Sequence, residues 1–147
     1  MVLAKSHPLL TKAEIEAAVR AYWKALSAKD AVQQQNFYDD HAAIFATDSN
    51  KLERARTVLL RRQREYLSAT ARTTVQIGEI DVELISPTHA VAAYTIRLDA
   101  KDLTRTSPAG SQLAEEHLEN ARVTHLFQRQ NDGMLRIIHE HISVPQG

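Results

Sequence analysis

Cysteine is absent from all 147 residues, which excludes disulfides, a thiolate nucleophile and any cysteine-ligated metal. An excess of either charge is missing too, since Lys plus Arg and Asp plus Glu number 18 each. Such a chain has no global field with which to grip nucleic acid or an anionic membrane, so neither is expected as a partner. No apolar run approaches the roughly 20 residues of a membrane span. The first ten residues hold one lysine, Lys5, and no long apolar core, so they do not read as a secretory signal, and a cytoplasmic location is expected. There is no internal repeat, linker or low-complexity segment. What remains is ordinary: 44% apolar and 24% charged residues, enough for one domain, residues 1–147, around a sizeable core.

Thr11 and Glu14 form the T-x-x-E pattern of a helix start, in which each side chain can satisfy a free backbone N–H. Ile15, Ala18, Val19, Tyr22 and Leu26 follow at helical spacing, with Trp23 on the flank of the stripe. A short helix from about Ala31 to Tyr38 and a brief strand from His41 to Ala46 come next. Asp48-Ser49-Asn50 stops the chain and restarts it. Asn50 with Glu53 repeats the capping pattern, and Leu52, Ala55, Leu59 and Tyr66 make an apolar stripe. The Arg61-Arg62-Gln63-Arg64 run is expected on the solvated side, with Arg61 near Glu65.

From Thr73 the period becomes two. Thr73, Val75 and Ile77 hold one phase; after Gly78, residues Ile80, Val82 and Leu84 hold the other, which predicts a β-bulge. Strands are expected over His89–Asp99, Glu119–Arg129 and Met134–Val144, with a loop from Asp102 to Gly110 and a hairpin turn at Asn131-Asp132-Gly133. Helices first and long strands last predict an α+β fold with helices on one face of an antiparallel sheet.

The C-terminal segments carry a resemblance. Ala121-Arg122-Val123-Thr124-His125, the Asp132-Gly133 turn and Ile138-His139-Glu140-His141-Ile142-Ser143 give an R-V strand, a D-G turn and an H-x-H-x-S strand in succession. Together with the element order, this resembles the SnoaL-like family of the nuclear-transport-factor-2-like superfamily. In its last third it resembles the calcium/calmodulin-dependent kinase II association domain, to which Arg97 and Arg105-Thr106-Ser107 are also similar. The resemblance implies a cone-shaped roll, with helices against a strongly curved antiparallel sheet and a pocket between. It implies that Arg97 and Arg122 line that pocket, that Trp23, Phe37 and Tyr38 wall it, and that Asp39, Asp40 and Asp48 lie near its mouth. The superfamily includes isomerases, dehydratases, cyclases, transport adaptors and oligomerisation domains, so membership leaves the function open.

A two-residue loop at Asn131-Asp132 would pair Arg122 with His141 and Thr124 with His139, placing all four on one face. Val123, His125, Phe127, Ile138, Glu140 and Ile142 would take the other. A three-residue loop would shift the pairing by one. On the resemblance, the first face lines the pocket. Two guanidiniums in an apolar cup must meet carboxylates such as Asp99, Glu116 or Glu119, water, or an anionic ligand held by the forked donors. His139 and His141 are candidate proton carriers or else hydrogen-bonded structural imidazoles. They share a face but lack a third ligand at clear spacing, so neither metal nor cofactor is expected. The apolar second face is expected to pack on another copy, giving at least a homodimer. Two functions remain open. One is a small-molecule pocket protein of the cofactor-independent isomerase or dehydratase type, acting on an anionic or carbonyl-containing ligand. The other is a non-catalytic oligomerisation or ligand-binding module.

Overall fold

The computed structural model describes residues 8–65, 71–106 and 113–145. Thr11 caps α1 (Lys12–Ser27), its hydroxyl accepting the Glu14 N–H at 3.1 Å. Ile15, Val19, Tyr22, Trp23 and Leu26 are buried beneath that helix, as their spacing predicts. Asp30 caps α2 (Ala31–Asn36) through the Gln33 N–H. Then come β1 (Tyr38–Phe45), the two-residue β2 (Glu53–Arg54) and α3 (Ala55–Glu65). The helix thus begins after Glu53 rather than at Asn50, because the Glu53 carboxylate pairs with Arg61 instead of capping. The chain continues with β3 (Ala71–Ile77), β4 (Asp81–Leu84), β5 (His89–Thr106), β6 (Leu113–Arg129) and β7 (Leu135–Ser143). β5 and β6 extend further than expected, and the anticipated loop from Asp102 is strand as far as Thr106. Tyr66, Ser107, Pro108 and Gly110 lie outside the described residues.

The sheet runs β2-β1-β7-β6-β5-β3, with β4 following β3 along the same edge of β5. β6 is antiparallel to both of its neighbours, β5 and β7. β1 enters parallel to β7, so the sheet is mixed where an antiparallel one was expected. The two strands are far apart in sequence, and no hairpin constrains their direction. The fold class is α+β. No helix among the described residues is long and apolar enough to cross a membrane.

Three irregularities bend the sheet and choose which side chains face inward. At Gly78 the register with β5 slips by one residue between Ile77↔Ile96 and Asp81↔Ala93, the bulge that the phase flip predicts. Glycine avoids a close contact there, since an added Cβ would lie 2.7 Å from Thr95 Oγ1. In β6, Glu119 and Asn120 together face Arg97, and Asn120 takes a left-handed φ of 54°. In β7, Ile138 is the extra residue between Phe127↔Ile137 and Leu126↔His139.

The hairpin turn itself holds three residues. Gln130 pairs with Met134, and Gly133 adopts φ 84°, the left-handed position that closes such loops. This shifts the pairing by one from a two-residue loop, and the bulge at Ile138 shifts it by one more. Arg122 therefore faces Ser143, and Thr124 faces His141. Two shifts restore the parity, so Arg122, Thr124, His139 and His141 do share a face. Ile137 replaces Ile138 on the opposite one.

Candidate functional site

The expected assignment of those two faces is reversed. Ala121, Val123, His125, Phe127, Ile137, Glu140 and Ile142 are buried beneath the helices, while Arg122 and His141 are exposed. Arg97 is on the outer face with its side chain 50% exposed, 3.6 Å from Asp99 and 3.7 Å from Glu119. Thr124 and His139 are half-buried on that face, and Phe45 of β1 lies edge-on beside His139 and tilted against His141. The physical reason is plain. Two guanidiniums and two imidazoles cost more to bury than one carboxylate and one imidazole, and the face that goes inward carries most of the apolar side chains. Those apolar residues are consequently core, not the subunit contact expected of them.

What the inner face encloses is a carboxylate at the centre of a donor cluster. Glu140 is fully buried. Its Oε1 accepts from the Tyr22 and Tyr38 hydroxyls and from His125 Nε2, each at 2.7 Å. Its Oε2 accepts from Arg62 Nη2 at 2.8 Å. Arg62 Nη1 also donates to the oxygens of Tyr22 and Tyr38, at 2.9 and 2.8 Å. Burial alone would push the Glu140 carboxyl up; Arg62 and the hydrogen bonds from His125 and Tyr38 outweigh it and hold it well below the usual carboxylate range. Burial likewise opposes the charge of Arg62, and Glu140 more than restores it. Burial pushes both phenols above their ordinary range.

A second chain of bonds reaches the same carboxylate. Trp23 Nε1 donates to the Tyr94 oxygen at 2.7 Å, and that hydroxyl stands 3.3 Å from His125 Nδ1. An indole N–H can only donate, so the Tyr94 oxygen is its acceptor.

Tyr22, Trp23 and Arg62 are also walls of a pocket of about 40 Å³. The remaining lining is mostly apolar, with Leu26, Val58, Ile96, Leu98, Leu118 and Ile142, while Thr47, Asp48 and Arg61 supply polar groups. Arg61 forks onto Asp48 through Nε and Nη2 at 2.6 and 2.9 Å, and onto Glu53 through Nη1 and Nη2 at 3.0 and 2.8 Å. The hydrogen bonds to Glu53 and Asp48 raise the Arg61 pKa. On the far side of the cluster an open groove of about 860 Å³ runs between α2, β1 and α3, with Tyr38, Asp39 and Asp40 on its wall. Tyr22 lines the cavity and Tyr38 the groove, and their hydroxyls are 2.5 Å apart.

Of the residues singled out from the sequence, Trp23 lines the cavity, Tyr38 joins the cluster behind it, and Phe37 packs edge-on against Tyr22. Asp48 is in the cavity wall, whereas Asp39 and Asp40 border the groove. Arg97, Arg122, Thr124, His139 and His141 reach neither. Glu140, His125, Tyr22 and Arg62 were not picked out. The arginine run is expected on the solvated side of α3, yet Ala55, Val58 and Arg62 stand at helical spacing, and the first two are buried. Reading the stripe through Val58 instead of Leu59 would have turned Arg62 toward the core.

The SnoaL-like domain family matches residues 15–147. The chain belongs to that family. Curated proteins give no match. Solved structures similar to it include an NTF2-like protein of unknown function from Pseudomonas putida KT2440, at TM-score 0.69 and 18% identity over 92% of this chain and 87% of the other. The association domain of CaMKII from C. elegans is similar at TM-score 0.63 and 17% identity, over 90% and 95% of the two chains. A protein from Catenulispora acidiphila in complex with S-DNPA is similar at TM-score 0.66 and 10% identity, over 90% and 91%. At these identities the likeness is one of fold.

Proposed function

We propose that this chain is a small-molecule-binding protein, and that its site is the cavity walled by Trp23, Tyr22 and Arg62. The observation that carries this reading is the pairing of an apolar chamber with a few convergent polar groups, the usual composition of a ligand site. Glu140 supports it by fixing Tyr22 and Arg62 from behind, as a preorganised wall requires. A fold neighbour in complex with S-DNPA is in keeping with the reading. At about 40 Å³ the chamber suits a small ligand or one end of a larger one, since drug-sized sites run to roughly 300–1,000 Å³.

Binding is favoured over proton transfer. Among the described lining residues the one carboxylate is Asp48, and Arg61 holds both its oxygens. Isomerase or dehydratase chemistry needs a base free to take a proton, and His139 and His141 do not reach the chamber. The outer face of β5, β6 and β7, with Phe45 41% exposed beside the two histidines, is the surface we propose for a homodimer.

Trp23 is the sole tryptophan, so its indole N–H gives a single side-chain indole cross-peak in a ¹H–¹⁵N spectrum. A library of small fragments should contain members that move this peak saturably. Val58→Phe, which fills the chamber, should abolish those shifts without unfolding the protein. Shifts that persist unchanged in Val58→Phe, or a library with no active member, would refute the assignment.

A further inference from the structure

The charges around the chamber say what kind of ligand it accepts. Arg61 and Arg62 are the cations of its wall among the described residues. Against them stand Asp48 and Glu53 on Arg61, and Glu140 on Arg62. Three carboxylates against two guanidiniums leave neither arginine without a counter-ion. The guanidiniums are also engaged geometrically, since four donations from Arg61 and three from Arg62 go to partners of the protein. An arginine recognises a carboxylate by presenting an open fork of donors, and both forks already carry a carboxylate oxygen. An entering anion would find no net positive charge to replace its water, and apolar walls to strip it.

Resting on the pocket reading above, we propose that the chamber selects an uncharged ligand bearing a hydrogen-bond acceptor, such as a small ketone or lactone. The proposal further holds that Asp48 is the residue that excludes carboxylates. An organic cation would meet mainly donors at the inner wall, where Arg62 has N–H groups beyond the three it gives to Tyr22, Tyr38 and Glu140. Asp48 acts by occupying Nε and Nη2 of Arg61. Its side chain is 41% exposed, so Asp48→Asn removes one negative charge at little structural cost. That substitution makes the carboxylates and guanidiniums equal in number and loosens one face of the Arg61 fork.

The test is a matched set of probes, cyclopentanone, cyclopentanecarboxylate and cyclopentylamine, titrated against the Trp23 indole cross-peak in wild type and Asp48→Asn. Cyclopentanone should bind wild type most tightly of the three. Asp48→Asn should raise the affinity for cyclopentanecarboxylate by about tenfold, the effect of one nearby charge partly screened by solvent, with little change for the ketone. Tightest wild-type binding of the carboxylate or of the amine overturns the proposal, as does a carboxylate affinity indifferent to Asp48→Asn. If none of the three probes moves the peak in either protein, the pocket reading itself fails along with it.

Discussion

Replacing Glu140 by Gln is the most demanding perturbation of this structure, because it removes one charge and almost no volume. The carboxylate accepts four hydrogen bonds and neutralises Arg62, whose side chain is only 11% exposed. An amide can accept through one atom alone, so at least one of Tyr22, Tyr38, His125 and Arg62 loses its acceptor, and the guanidinium is left buried without a counter-ion. Breaking a buried pair from one side costs about 3–5 kcal/mol. For a chain of this size that lowers Tm by roughly 10 °C or more. Urea unfolding followed by circular dichroism at pH 7 measures it directly.

The same variant carries a pH signature. Glu140 has its folded pKa depressed, so its contribution is fully present above the unfolded carboxylate value of about 4.3 and is lost as pH falls toward the folded one. The gap in stability between wild type and Glu140→Gln should therefore narrow from pH 6 to about pH 3. Asp39, Glu53 and Asp132 also have lowered pKa values, but they are common to both proteins and cancel in the difference. Adding Arg62→Met should recover part of the loss, with a coupling of at least about 1 kcal/mol. A cost below about 1 kcal/mol, a gap independent of pH, or strict additivity of the two substitutions would each refute the description of this cluster.

Gly78→Ala should destabilise by about 1–3 kcal/mol from overpacking against Thr95 Oγ1, and Thr95→Ala in the same chain should relieve most of it; chemical denaturation of both variants checks this. Gln34 is fully buried, and neither atom of its amide finds a partner among the described residues. Gln34→Met, similar in shape, should leave stability unchanged or raise it by about 1 kcal/mol, and a loss larger than that would reveal a bond unaccounted for. Asp30→Ala should cost about 1 kcal/mol through loss of the α2 cap. Phe45→Glu should shift the molar mass measured by light scattering toward the monomer, and an unchanged mass would remove the outer face as a self-contact.

How much of this was legible before the coordinates is clearest at the hairpin. Parity along a strand is a local property, so Arg122, Thr124, His139 and His141 could be grouped correctly even though the turn is one residue longer than expected and a bulge follows it. Which face goes inward is a global property, decided by what covers the sheet. Alternation alone is symmetric with respect to that choice. The charged face resembled a ligand site and was placed inside, whereas the apolar balance of Val123, Phe127, Ile137 and Ile142 argued the other way.

The central cluster was hidden for a related reason. Glu140 and His125 interrupt an apolar face, and each in isolation counts against burial. They are tolerable inside only because Tyr22 from α1, Tyr38 from β1 and Arg62 from α3 converge on one carboxylate, joining positions up to 118 residues apart. Spacing patterns detect partners within a helix or across a turn and are blind to such distances. A polar residue that breaks an otherwise apolar stripe is therefore better read as a demand for a distant partner than as a flaw in the stripe. Here, Arg62 beside Ala55 and Val58 on α3 and Glu140 between Ile137 and Ile142 on β7 make that demand with opposite charges. Two interruptions of opposite sign on two buried faces are the signal that could have paired them from the sequence.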